Sequence, residues 1–150
     1  MRVVIQRVMH ASVHVDNKKV AAIKKGMLIL LGITHDDEYA DIEWLVKKIA
    51  NLRIFDDENG IMNLSLTDIK GEILVVSQFT LFASTKKGNR PSYVSAAKPD
   101  YAAHLYHQFV EHFQKQSGIT PKTGIFGADM QIDLLNSGPV TIIIDSKIKE

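Results

Sequence analysis

The chain contains no cysteine, which excludes a disulfide framework, a thiolate-bound zinc site, an iron–sulfur cluster and thiol catalysis. Proline is scarce, at four residues in 150, and no Pro/Gly/Ser-rich tract, repeat or low-complexity run marks a domain boundary. One domain spanning 1–150 is expected. Charge of neither sign dominates: 18 Lys and Arg face 17 Asp and Glu, a net charge of +1, so any nucleic-acid role has to rest on a local basic patch. The longest apolar run, Met27 to Leu31, is far too short to cross a bilayer, and the opening MRVVIQRVMHASV lacks a sustained apolar stretch with a small-residue cleavage site. A soluble, cytoplasmic protein with no membrane partner is expected. GxSxG, HExxH, GxxxxGK[ST] and GxGxxG are all missing, so the usual hydrolase, zinc-protease and nucleotide-binding templates gain no support.

What is present is enough apolar sequence, 45% of the residues, for one core that buries roughly 70% of the unfolded surface. Arg2 to Val8 reads as a strand, and Ala11–Val15 and Lys19–Ile23 flank Asp16-Asn17 as a hairpin. Met27 to Ile33, opened by Gly26, is apolar on both faces and belongs at the centre of a sheet. Ile42, Leu45, Val46, Ile49 and Leu52 fall on one helical face between Asp37 and Leu52, with Trp44 turned about 160° from that stripe. A second helix runs from Pro99 through Ala102, Leu105, Tyr106, Phe109 and Phe113 to a stop at Gly118. Ile73–Leu81, Met130–Leu135 and Val140–Ile144 complete the strands. The order lacks a regular βαβα alternation. The fold class is therefore α+β, a curved, mostly antiparallel β-sheet or barrel-like core with two main helices on one side.

Candidate chemistry is sparse. His104 and His107 point away from the apolar face of the second helix and His112 lies at its boundary, while His10 and His14 share a strand face; without carboxylates at ligand spacing these read as surface side chains. Asp56, Asp57 and Glu58 precede Asn59-Gly60, a turn whose spacing does not fit an EF-hand. Neither metal nor cofactor is expected. Lys86, Lys87 and Arg90 crowd a loop with Gly88 and Asn89, followed by Lys98, which is either a solvated segment or a contact for phosphates. Ser77-Gln78-Phe79-Thr80-Leu81 breaks the end of an apolar strand, as an edge strand would, or as a backbone that leaves N–H groups free for a substrate carbonyl. Asn136 to Thr141 places Gly138-Pro139 directly before a strand and reads as a turn.

Val4-Ile5-Gln6-Arg7-Val8, Ala11-Ser12-Val13, Leu52-Arg53-Ile54-Phe55, Ser77 to Leu81, Lys87-Gly88-Asn89-Arg90-Pro91-Ser92, Phe126-Gly127-Ala128-Asp129-Met130 and Asn136 to Thr141 occur in order along the whole chain. In this combination the sequence closely resembles the D-aminoacyl-tRNA deacylases. Ser137 stands where that family often has Asp, with Gly-Pro intact. The resemblance implies a carboxylic ester hydrolase that cleaves D-aminoacyl-tRNA, and glycyl-tRNA as well, for chiral proofreading in translation. It implies a homodimer in which Gly138-Pro139, with a cis bond, enters the partner's active site and excludes L-amino acids, with Arg7 supporting that element. It assigns catalysis to Ser77, Gln78, Phe79 and Thr80, chiefly through backbone donors, and the adenosine and tRNA contacts to Met130, Lys86, Lys87 and Arg90. The partner implied is the aminoacylated 3′ end of tRNA, with no DNA. Thr80 as a covalent nucleophile, a trans Gly-Pro deacylase of L-alanyl-tRNA, and a non-catalytic nucleic-acid-binding dimer stand as alternatives.

Overall fold

The first strand runs on through the two segments that the sequence separates, although its alternation of buried and exposed side chains breaks between Arg7 and His10. In the computed structural model, which describes residues 1–149, β1 runs Arg2–Val15. Asp16 and Asn17 both take positive φ, 50° and 61°, as a two-residue hairpin turn demands. They lead into β2, Lys18–Ile23. β3, Gly26–Gly32, pairs antiparallel with β1 and parallel with β6, Glu72–Ser77, so it is central as its apolar run requires. A methyl group on Gly26 would lie 1.8 Å from the Glu72 carbonyl oxygen, and only glycine allows the two strands to start this close together.

The main sheet joins three antiparallel and two parallel pairings, the last through the short β7, Lys122–Thr123. It is nearly closed into a barrel-like core: Lys122 Nζ reaches across to the Ala22 carbonyl at 2.7 Å and to Glu72 at 3.2 Å. The small pair of β4, Phe55–Asp56, and β5, Met62–Leu64, stands apart. One core fills the barrel, with Val8, Val13, Leu28, Leu74 and Val76 buried in it. A larger core lies on the other face, where Ile5, Ile29 and Val75 meet the apolar stripes of α1, Tyr39–Ala50, and α2, Pro99–Ser117. Pro99 occupies the first turn of α2 and Gly118 ends it at φ 73°, as the sequence predicts. Trp44 is half-buried, with the Lys48 and Lys149 ammonium groups 5.7 and 5.2 Å from its ring centre. Among the described residues no helix is long and apolar enough to cross a membrane.

Two departures from the expected strands shape the site. β6 stops at Ser77 and the chain enters a 3₁₀ turn, Phe79–Phe82, so Phe79, Thr80 and Leu81 are not strand residues. The two last strands are one, β8, Gln131–Asp145, paired with β1 on both sides of the Gly-Pro step. The Gly-Pro step is not a turn between strands but a bulge within β8: Gln6 pairs with Thr141 and Val8 with Asn136, leaving Arg7 alone opposite Ser137, Gly138, Pro139 and Val140. Extra residues on one strand bend it and change which face its side chains occupy. Ile132 and Leu134 face the barrel core, whereas Val140, Ile142 and Ile144, at the same parity, face the helices.

The start of β1 is anchored in a charged cluster beneath α1. The Met1 amino group donates to Asp37 and, at 2.7 Å, to Ser146 Oγ, while Lys147 Nζ lies 2.8 Å from Asp41. Burial raises the Asp41 pKa, but hydrogen bonds from Lys147, Ser146 and the Glu38 backbone outweigh it and hold the carboxyl at about 2, against 3.8 ordinarily. Because this pKa is depressed in the folded state, its stabilisation is present above the unfolded value and fades as pH falls through about 2. Asp41→Asn is expected to lower the urea midpoint at pH 7, with a difference from wild type that shrinks towards pH 2; a constant difference would contradict the assignment.

Candidate active site

Parallel pairing brings the C-terminal ends of β3 and β6 to the same level, with Leu31 opposite Ser77, and the Gln78 N–H makes a last rung to the Leu31 carbonyl at 2.8 Å. Beyond that rung the strands stop and a cavity of about 690 Å³ opens. Its floor comes from Leu31, Ile33, Ser77 and Gln78, one wall from Tyr93, Ala96–Pro99 and Ala102, and the facing wall from Phe126–Met130 and Ile132. Most of these side chains are apolar; Lys98 and Asp129 are the charged ones. Tyr106 secures the wall from behind, donating its hydroxyl to the Val75 carbonyl at 2.7 Å and packing on Phe126. Burial pushes the Tyr106 phenol pKa upward, which keeps this donor protonated.

The tight turn after Gln78 uses the Leu81 and Ala83 N–H groups to close on the Gln78 and Thr80 carbonyls. The Phe79 and Thr80 N–H groups have no acceptor among the described residues, as the first donors of any helical turn lack one. Gln78 Nε2 donates to Thr80 Oγ1. Among the described residues no histidine, lysine or carboxylate is hydrogen-bonded to that hydroxyl, as a covalent route with a side-chain base would need.

Ser77, Gln78, Phe79 and Met130 thus meet at one cavity, and Thr80 sits just outside its lining. Lys86, Lys87 and Arg90 are all exposed, on a loop whose base is clamped by Ser84–Ser92 hydrogen bonds of 2.8 and 2.9 Å. Arg7, Gly138 and Pro139 form a separate group that does not line the cavity of their own chain. Arg7 is buried, and its guanidinium donates to the Ser137 and Ile54 carbonyls at 3.1 and 2.8 Å and to Asp56 at 3.0 Å. Asn136 spans the bulge from the other side, donating to the Arg7 and Val140 carbonyls at 3.1 and 3.0 Å. The Gly138–Pro139 bond is cis, and both residues are exposed.

Tyr93, Ala96 and Ala97 were not among the expected site residues, since an irregular segment has no periodicity to flag them. Lys98 was visible only as one more cation near the loop. The histidines fall as expected: His104 and His107 are exposed, and half-buried His112 accepts or donates a 3.0 Å bond with the Tyr39 hydroxyl. Among the described residues no group of His and carboxylates has metal-binding geometry.

An α+β fold whose cavity offers free backbone donors at a strand end and few ionisable groups suits acyl-ester hydrolysis. The D-Tyr-tRNA(Tyr) deacylase family model matches residues 4–145. The chain is 62% identical to the D-aminoacyl-tRNA deacylases of Bacteroides fragilis and Flavobacterium psychrophilum across the full length of each. In structure it is similar to the c-Myc DNA unwinding element binding protein, with a TM-score of 0.90, 42% identity and coverage of 97% of this chain and 98% of that one. A probable eukaryotic D-amino acid tRNA deacylase shares the fold, with a TM-score of 0.79 at 19% identity over 95% of this chain and 97% of that one. The chain belongs to the D-Tyr-tRNA(Tyr) deacylase family and is a hydrolase.

The bulge makes a stability test possible. A Cβ on Gly138, at φ 119°, would meet Arg7 Nη2 at 2.8 Å and Val140 Cγ2 at 3.0 Å, whereas one on Gly60, at φ 74°, would meet nothing within 4 Å. Gly60→Ala is expected to cost only the backbone term, about 1–2 kcal/mol. Gly138→Ala is expected to lower Tm further because Arg7 must also move. Equal losses in thermal unfolding would mean that Arg7 packs loosely against the bulge.

Proposed function

We propose that the enzyme hydrolyses the ester between a D-amino acid and the 3′-terminal adenosine of tRNA, for chiral proofreading in translation, and works where charged tRNA is found, in the cytoplasm. The observation that carries this reading is the cavity itself, which Ser77–Phe79, where β6 ends, line together with Phe126–Met130. The adenosine lies against Met130 and Phe126, and the ester carbonyl points at the free N–H groups of Phe79 and Thr80. Water attacks that carbonyl, the bond to the ribose 3′-oxygen breaks, and the proton ends on that oxygen, giving free D-amino acid and a tRNA 3′-hydroxyl. The neighbouring 2′-hydroxyl organises the water, in keeping with a lining that offers few ionisable side chains. The donors stabilise the developing oxyanion, and each such donor is typically worth about 2.7–4 kcal/mol.

The chiral filter comes from a second copy of the chain. Gly138 and Pro139 are exposed on β8, whose outer edge is unpaired among the described residues and carries Leu135 and Ile143 at 53% and 68% exposure, the kind of long apolar edge that natural proteins cover. A two-fold dimer would place each bulge in the partner's cavity. There its carbonyls accept the substrate's α-ammonium, leaving no room for an L side chain. Glycyl-tRNA, lacking a side chain, is then a substrate as well. D-Tyr-, D-Phe- and D-Asp-tRNA are expected to be cleaved with similar efficiency, because exclusion does not interrogate the D side chain; a pocket that recognised it would rank them by up to about 10⁴–10⁵.

The name of the 42%-identical structure points to a DNA element, but a net charge of +1 and a concave apolar cavity favour an aminoacyl ester over a duplex. Lys86, Lys87 and Arg90 serve as phosphate contacts of the tRNA. Replacing all three with Ala is expected to raise KM for tRNA, with kcat preserved, and to flatten the log–log salt slope by about 0.7–0.9 for each phosphate that is no longer neutralised; an unchanged slope would leave them a solvated loop. Thr80→Ala is expected to lower kcat by less than the ~10²–10³ that follows loss of an oxyanion donor, and mass spectrometry of a quenched reaction to show no acyl-Thr80.

A further inference from the structure

Tyr93 lies at the cavity's rim, 40% exposed, with its ring edge-on to Phe79 at 5.0 Å between centroids. Phe79 is 56% exposed and Val94 85%. An apolar lip of this kind marks a place where something docks. Its backbone is firmly held: Ala97 N–H donates to the Ile33 carbonyl at 2.9 Å, Thr34 Oγ1 to the Ser95 carbonyl at 2.6 Å, and Ala96 N–H closes a turn on Tyr93 at 3.0 Å. The Ser84–Ser92 bridge, one residue before Tyr93, also clamps the loop that carries Lys86, Lys87 and Arg90. The lip therefore links an inner cavity to a cationic loop. Aromatic rings flanked by cations are how proteins hold unpaired nucleotides, the rings stacking on bases and the cations meeting phosphates.

We propose that Tyr93, braced by Phe79, stacks against the base of the nucleotide preceding the terminal adenosine, so that the lip holds the single-stranded end as a polynucleotide while the inner cavity takes the aminoacyl-adenosine. The proposal rests on the function proposed above and assigns the lip to a nucleobase rather than to the amino acid. It predicts that substrates with and without the preceding nucleotides respond differently to loss of the ring.

The experiment compares kcat/KM for D-tyrosyl-adenosine and for the D-tyrosyl ester of the trinucleotide CCA. Wild type is expected to favour the trinucleotide. Tyr93→Ala is expected to cut the trinucleotide-to-adenosine ratio about tenfold, whereas Tyr93→Phe keeps it. Tyr93→Leu retains apolar bulk without a π-face and is expected to lose the ratio as Ala does, which holds the test if the Ala variant is unstable. An equal loss on both substrates would mean that Tyr93 serves the aminoacyl-adenosine and not the preceding base, and would overturn the proposal, as would a wild type with no preference for the trinucleotide. A wild type that cleaves neither ester, nor D-tyrosyl-tRNA, would overturn the proposed function, and this inference with it.

Discussion

The three-way bond of the Arg7 guanidinium to Ser137, Ile54 and Asp56 is the constraint on which the rest of the molecule depends. At its level one residue of β1 faces four of β8, which turns β8 from one core to the other, and β1 makes its own change two residues on, where Met9 is left over between the Val8–Asn136 and His10–Leu135 pairs. On β1, Val3 and Ile5 face the helices, whereas Ala11 and Val13, at the same parity, face the barrel. A register change in one strand alone would turn its apolar side chains to the wrong face. Here each strand shifts once, at neighbouring irregularities, and one ribbon can close a barrel at one end and support two helices at the other. A buried guanidinium with fewer acceptors would be costly; with three it fixes the bulge where the ladder cannot.

The same division of labour extends to the cavity. The donors proposed to act there are backbone groups that exist because strands end: parallel β3 and β6 stop together, and the turn after Gln78 frees two N–H groups. Backbone donors set at a rigid strand end need no reorganisation during reaction, and the buried Tyr106 hydroxyl on Val75 holds that end in place. In the function proposed, recognition and exclusion fall to different surfaces, the cavity for the nucleoside and the exposed bulge for the amino acid's configuration. Neither surface needs an ionised catalytic side chain, in line with a sequence that lacks every familiar catalytic signature.

Periodicity made α1 and α2 legible, along with the central β3 and the Asp16-Asn17 hairpin, because each satisfies local propensity and burial at once. The union of Met130–Leu135 with Val140–Ile144 was not legible, since Gly138-Pro139 carries turn chemistry whether it ends a strand or bulges from one. Phe79, Thr80 and Leu81 continue the apolar character of β6 and so read as strand, although the ladder ends at Ser77. Ser77–Thr80 and the Gly-Pro step stood out by pattern, as a polar break at a strand end and a Gly-Pro before a strand, and drew their roles from family resemblance; Met130 stood out through the resemblance alone. Tyr93, Ala96 and Ala97 had no such signal, because only the return of an irregular segment onto the end of β3 brings them to the cavity.

The central claim is that configuration at the α-carbon, and not side-chain identity, decides what the enzyme cleaves. Single-turnover deacylation of matched D- and L-tyrosyl-tRNA, with enzyme in excess, tests it most directly. Rapid release of D-tyrosine is expected, with no release of L-tyrosine above the uncatalysed rate. Efficient cleavage of L-tyrosyl-tRNA would contradict the claim.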